Sequence, residues 1–190
     1  MDVFALVGPS GSGKSSIVDF LYGRGIMTMA EEYMESFPSE FSNKELLSKW
    51  FWIAQWLECL WNNKLKGNKL LVTDRCPLEV VPYATHGEFL LEPLKHTMKE
   101  LEKHGVFIRT LYLRVPLEIC FERSQTRFRL EPYRQAYGEG DLGYVASVYQ
   151  FYENGIGNLW NFTIEASQKS IEELATEVTK LIERSLNSEP

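Results

Sequence analysis

The chain has no apolar run long enough to cross a bilayer, no surplus of positive charge, and only three cysteines and three histidines in 190 residues. Each shortage removes a class of protein. Without roughly 20 consecutive apolar residues, no membrane-spanning helix is expected. Without a basic start followed by a cleavable apolar segment, no secretory signal is expected, and the protein reads as cytoplasmic. A net charge of −6 gives a nucleic-acid partner no support from the overall field. Cys59, Cys76 and Cys120 are odd in number and far apart, which fits reduced thiols and offers no zinc spacing. His86, His96 and His104 have neither metal-ligand spacing nor a nucleophile beside them. Internal repeats and low-complexity linkers are also lacking, so 1–190 reads as a single domain. One more shortage is local: no arginine occurs between Gly25 and Asp74.

Against these absences stands one dense motif. Residues 8 to 15 read Gly-Pro-Ser-Gly-Ser-Gly-Lys-Ser and follow the apolar run Val3 to Val7. A glycine, four free positions and then Gly13-Lys14-Ser15 is the spacing of a phosphate-binding loop, or P-loop. Gly8, Gly11 and Gly13 let the backbone curl until its amides point inward at phosphate oxygens, with Ser10, Ser12 and Ser16 completing the lining. Lys14 supplies an ammonium to the β- and γ-phosphates, and the Ser15 hydroxyl suits Mg2+. The helix that begins near Gly13 adds its positive end to the same anion site. A nucleoside triphosphate with Mg2+ is the expected ligand.

The rest of the chain alternates. Strands are expected near 3–7, 26–30, 69–73, 107–114 and 160–165, and helices near 13–22, 44–65, 90–104, 116–127, 141–154 and 170–186. Short, near-continuous apolar strands with glycines and prolines at the joints predict a three-layer α/β fold around a parallel sheet. The active edge of such a sheet lies at the carboxyl ends of its strands. Asp74 and Arg75 end one apolar strand there. Asp74 is the candidate second metal-side residue beside Ser15. Further on, Arg123 and Arg127 share a helix face, with Arg129 and Arg134 just beyond. Such arginines suit a group whose negative charge must be met during transfer. The glycine-rich stretch that follows, about 127–143, reads as a lid.

These residues together resemble the thymidylate kinase and deoxynucleoside kinase group. The resemblance rests on the P-loop, the Asp74-Arg75 pair, and the segment Leu111-Tyr112-Leu113 to Pro116 leading to Arg123. The arginine lid and the tail Glu165-Ala166-Ser167 with Ser170-Ile171-Glu172-Glu173 add to it. It implies a five-stranded parallel sheet and an ATP-dependent kinase, commonly a homodimer, that phosphorylates a nucleoside or nucleoside monophosphate. By position, Lys14 and Ser15 meet donor and metal, Arg75 the acceptor's reacting end, and Arg123, Arg127 and Arg129 act from the lid. Thymidylate kinases carry arginines after the second strand and in the long helix; here Glu31 and Glu32 stand after the second strand instead. That placement is similar to deoxynucleoside kinases, in which a glutamate there takes the proton of the 5′-hydroxyl, and Gln55 corresponds to a glutamine that reads a base edge. Cys76 replaces the customary serine after Asp-Arg.

The aromatic helix at 44–65 is apolar almost all round, as a helix buried on more than one side should be. Trp50, Ile53, Leu57 and Trp61 form one stripe, expected to face the core. Trp52, Trp56 and Leu60 form another, which requires either an acceptor pocket, with Trp52 in contact with substrate, or a homodimer interface. Two further functions stay open from sequence: a P-loop kinase of another small hydroxyl compound, and a regulatory NTPase.

Overall fold

The central runs, residues 3–7 and 71–74, become strands that bury both faces at once. In the computed structural model, which describes residues 1–30, 45–131, 138–154 and 159–187, β1 (Asp2–Val7) lies at the centre of a parallel sheet. Around it stand β2 (Thr28–Met29), β3 (Leu70–Asp74), β4 (Phe107–Arg114) and β5 (Phe162–Glu165), in the spatial order β2-β3-β1-β4-β5. The register pairs Leu6 with Asp74 on one side and with Leu111 on the other, so the carboxyl ends of β1, β3 and β4 lie level. The expected α/β fold with five parallel strands is what forms.

Alternation along β1 divides the core in two. Val3, Ala5 and Val7 join Leu71 and Tyr112 against α2 (Leu46–Leu65), the 3-10 helix Pro77–Tyr83, α3 (Glu88–Lys103) and α5 (Leu142–Asn154). Phe4 and Leu6 join Val72, Leu111, Leu113 and Ile164 on the other face, against α1 (Lys14–Gly23), α4 (Leu117–Leu130) and α6 (Ile171–Asn187). The helix α6 starts at a reciprocal cap. Ser170 Oγ accepts from the Glu173 amide at 3.2 Å, and the Glu173 carboxylate accepts from the Ser170 amide at 2.8 Å.

Three local expectations differ from the structure. The second strand, expected over 26–30, keeps only two paired residues, because only Thr28 and Met29 reach the edge of β3. The stripes of α2 are not divided as expected: Ile53 and Leu57 of the first pack in the core, but Trp50 and Trp61 do not. Trp52, Ile53, Trp56 and Leu60 are buried, whereas Trp50 and Trp61 are about 40% exposed, at 42% and 39%. Ile53 lies with the Trp52–Trp56–Leu60 arc at helical spacing, and that arc faces the sheet. Finally, the 3-10 helix between β3 and α3 has no sequence counterpart among the expected elements. Of the lid expected at 127–143, residues 132–137 lie outside the described residues, as do Glu31, Glu32 and Arg134; α4 runs to Leu130 and α5 begins at Leu142.

Candidate active site

The turn from β1 into α1 is tight in a way that only glycine permits. Gly8 has φ of 151°, and a Cβ there would sit 2.9 Å from Ser12 Oγ and 3.0 Å from the Leu113 carbonyl. Gly11 has φ of 82°, and a Cβ there would meet the Cys120 carbonyl at 3.0 Å. The loop is therefore pressed against the start of α4. Lys14 folds over it, its ammonium donating to the carbonyls of Gly8 at 2.6 Å and Pro9 at 3.1 Å. Ser12 is buried beneath, and Ser10, Gly13, Ser15 and Ser16 line the cavity above.

That cavity, about 1310 Å3, holds most of the residues read from sequence. At its P-loop end the Ser15 hydroxyl donates to Asp74 Oδ2 at 2.6 Å. The pair comes from α1 and the end of β3, which the parallel register of β1 and β3 sets side by side. A hydroxyl and a carboxylate are hard oxygen donors of the kind Mg2+ takes when most of its shell is water and phosphate. Among the described residues no cluster of three or more metal-ligating side chains forms a closed metal cage.

Arg75, next in sequence, stands in the left-handed region with φ of 71°. Thr73 Oγ1 donates to the Arg75 carbonyl at 2.7 Å and the Arg75 amide donates to the Leu6 carbonyl at 3.0 Å, which holds the turn. A non-glycine residue in this conformation stores strain that surrounding structure must sustain. The guanidinium lies 5.6 Å from the centre of the Tyr83 ring and lines the cavity with Trp52 and Lys49 of α2.

From α4, Arg123 donates to the Gly11 carbonyl at 2.9 Å and Arg127 lines the same cavity, 3.8 Å from Glu131. Arg129 is exposed on α4 and is not among the lining residues. Gln55 is half-buried on α2 and is likewise not among them. Within the expected lid, Glu139 Oε1 accepts from Ser10 Oγ at 2.7 Å.

One residue of the site carries no motif. Glu79, on the 3-10 helix, is 1% exposed. Its Oε1 accepts from the Gly8 amide at 2.9 Å and from the Tyr152 hydroxyl at 2.6 Å, with Arg75 Nη1 at 4.0 Å. Burial pushes its carboxyl above the ordinary range, against Lys14, Arg75 and the two hydrogen bonds, which pull it down. The only sequence signal was an acid set among Pro77, Leu78, Val80 and Val81 just after Arg75. Tyr152, stacked on Tyr112 and Trp160 with centroids 5.7 Å and 5.6 Å away, is held rigid from behind.

A phosphate-binding loop at the carboxyl edge of a 2-3-1-4-5 parallel sheet, with Asp74 at the end of β3 and Arg75 just after it, defines a P-loop α/β fold. Three solved structures share it over nearly the whole chain. A deoxyadenosine kinase from M. mycoides with bound dATP is 20% identical, with TM-score 0.63, over 99% of this chain and 100% of that one. The YorR protein of Bacillus subtilis, in complex with phosphorylated GDP, is 16% identical with TM-score 0.59, over 99% of each chain. A shikimate kinase from Acinetobacter baumannii in complex with shikimate is 16% identical with TM-score 0.57, over 97% of this chain and 93% of that one. No family model and no curated protein sequence matches the chain. At these identities the likeness establishes a shared fold, and the resemblance to nucleoside and nucleotide kinases holds at that level.

Proposed function

We propose that the protein is a kinase that moves the γ-phosphoryl group of ATP to a nucleoside or nucleoside monophosphate. The observation that carries this is one cavity with two chemically distinct linings. One is Lys14 and Ser15, with Asp74 buried behind and hydrogen-bonded to Ser15; the other is Arg75, Trp52 and Lys49, the last from the arginine-free stretch. The loop amides and Lys14 hold the donor, Arg123 and Arg127 face charge that develops on the moving group, and Arg75 meets the acceptor. Ser15 and Asp74 would hold Mg2+, which, when bound, offsets charge on the β- and γ-phosphates. In the transfer the acceptor oxygen forms a bond to phosphorus as the bond to the ADP oxygen breaks. Where the acceptor is a hydroxyl, its proton passes to the carboxylate of Glu31 or Glu32. The similarity to a shikimate kinase favours a second acceptor class, a small polyhydroxy compound.

The test is product formation from ATP and Mg2+ across nucleosides, nucleoside monophosphates and small polyhydroxy acids. Transfer to one of the first two classes is the expected result. Transfer to the third alone would move the acceptor assignment, and ATP hydrolysis without any acceptor product would replace the kinase with an NTPase.

A further inference from the structure

We infer that Glu79 is a positioning residue for phosphoryl transfer: one buried carboxylate indexes the acceptor-side Arg75 to the first amide of the phosphate-binding loop. The inference rests on the transfer reaction proposed above. The geometry is on both sides of the same oxygen. Oε1 takes the Gly8 amide at 2.9 Å and has the Arg75 guanidinium at 4.0 Å, while Tyr152 fixes it from behind at 2.6 Å. Oε2 is buried and has no hydrogen-bond partner among the described residues.

A side chain kept only to fill space would not be built this way. Leu78, Val80 and Val81 fill space on the same 3-10 helix at similar burial. A buried carboxylate with one oxygen unpaired is a costly way to fill volume, and an apolar residue of similar size serves better. The backbone of Arg75 is already pinned by Thr73 and Leu6. That leaves the direction of the guanidinium to be set, and Glu79 and Tyr83 lie against it. Donor phosphates register on the loop and the acceptor registers on Arg75. In-line transfer needs the two placed to a fraction of an ångström, so a rigid link between them acts on rate rather than on affinity.

The decisive variant is Glu79→Gln, which keeps the size and still accepts from the Gly8 amide but loses the charge opposite Arg75. With the best acceptor of the panel, kcat is expected to fall about 10- to 100-fold. ATP affinity, read by titration with a fluorescent ATP analogue, should change by less than about threefold, because Lys14 and the loop amides are untouched. Glu79→Asp, with the charge restored on a shorter arm, should recover part of the lost kcat. In an Arg75→Lys background the same Glu79→Gln change should cost less than about threefold, since residues acting through each other are not additive.

Wild-type kcat in Glu79→Gln overturns the inference, as does a weakened ATP affinity with kcat unchanged, or equal losses in both Arg75 backgrounds. If Glu79→Gln does not fold, Tyr152→Phe loosens the same oxygen. It is expected to lower kcat roughly three- to tenfold, by analogy with loss of one positioning hydrogen bond. Full activity of that variant also overturns the inference. Absence of any transfer by the wild-type chain overturns the kinase proposal and this inference together; transfer by the wild type with undiminished variants overturns the role of Glu79 alone.

Discussion

Lys14 is buried at the start of α1 and directs its ammonium to the carbonyls of Gly8 and Pro9. Lys14→Ala is therefore expected to lower phosphoryl transfer by at least roughly 10²- to 10³-fold, the loss that follows removal of one preorganised donor. Its thermal midpoint should stay within about 4 °C of the wild type, the shift that 1 kcal/mol produces in a chain of this size. Transfer assays beside a melting curve check both halves. Glu79 makes a different kind of prediction, in stability against pH. The groups around it are Lys14, Arg75, Tyr83, Tyr152 and the Cys76 thiol, and the last three are themselves pushed up by burial and stay neutral. With its carboxyl held above the ordinary range, the folded chain binds more protons than the unfolded one above that range. Stability from this group is present at low pH and is lost as pH rises through the folded value. Denaturant midpoints of wild type and Glu79→Gln, compared from pH 5 to 8, should therefore move in favour of the glutamine variant as pH rises. A difference that is flat, or that moves the other way, contradicts the assigned direction.

At the scale of the element, α4 and α6 show how a helix end is made into a device. The first turn of α4 packs closely against Gly11, and Arg123 closes the contact on the Gly11 carbonyl. The cap of α6 is simpler. Ser170 and Glu173 satisfy each other's amides just before Leu174, Ala175, Val178 and Ile182 enter the core. Ser170→Ala is expected to cost about 1 kcal/mol, the usual value for an N-cap hydroxyl. Chemical denaturation reads it; Ser170 itself does not line the cavity, although Lys169 and Ile171 on either side of it do. The starts of both helices, near 116 and 170, were expected from sequence, but the contact of α4 with Gly11 joins distant segments of the chain. The 3-10 helix at Pro77–Tyr83 was not expected, because nothing periodic marks seven residues that contain two prolines.

Across the whole molecule, two tryptophans on one helix report opposite environments. Trp56 is fully buried against the sheet, whereas Trp61 is 39% exposed, with Lys64 over its ring at 4.7 Å. Trp56→Ala should cost about 3–5 kcal/mol through lost burial and a residual cavity. Trp61→Ala should cost about 1 kcal/mol or less, as surface changes do. Equal costs would mean that α2 is turned the other way. That rotation was not readable from α2, because an all-round apolar helix has no polar face to orient it. By itself the sequence determined whatever depends on near neighbours in the chain: the P-loop, whose glycines and lysine act within eight residues, the apolar strands, and the acid-arginine pair ending β3. Only the tertiary structure decided which face of α2 meets the sheet, and that Glu79 lies under Gly8, 71 residues away along the chain. Burial and partnership between distant segments arise from packing, and no local pattern encodes them.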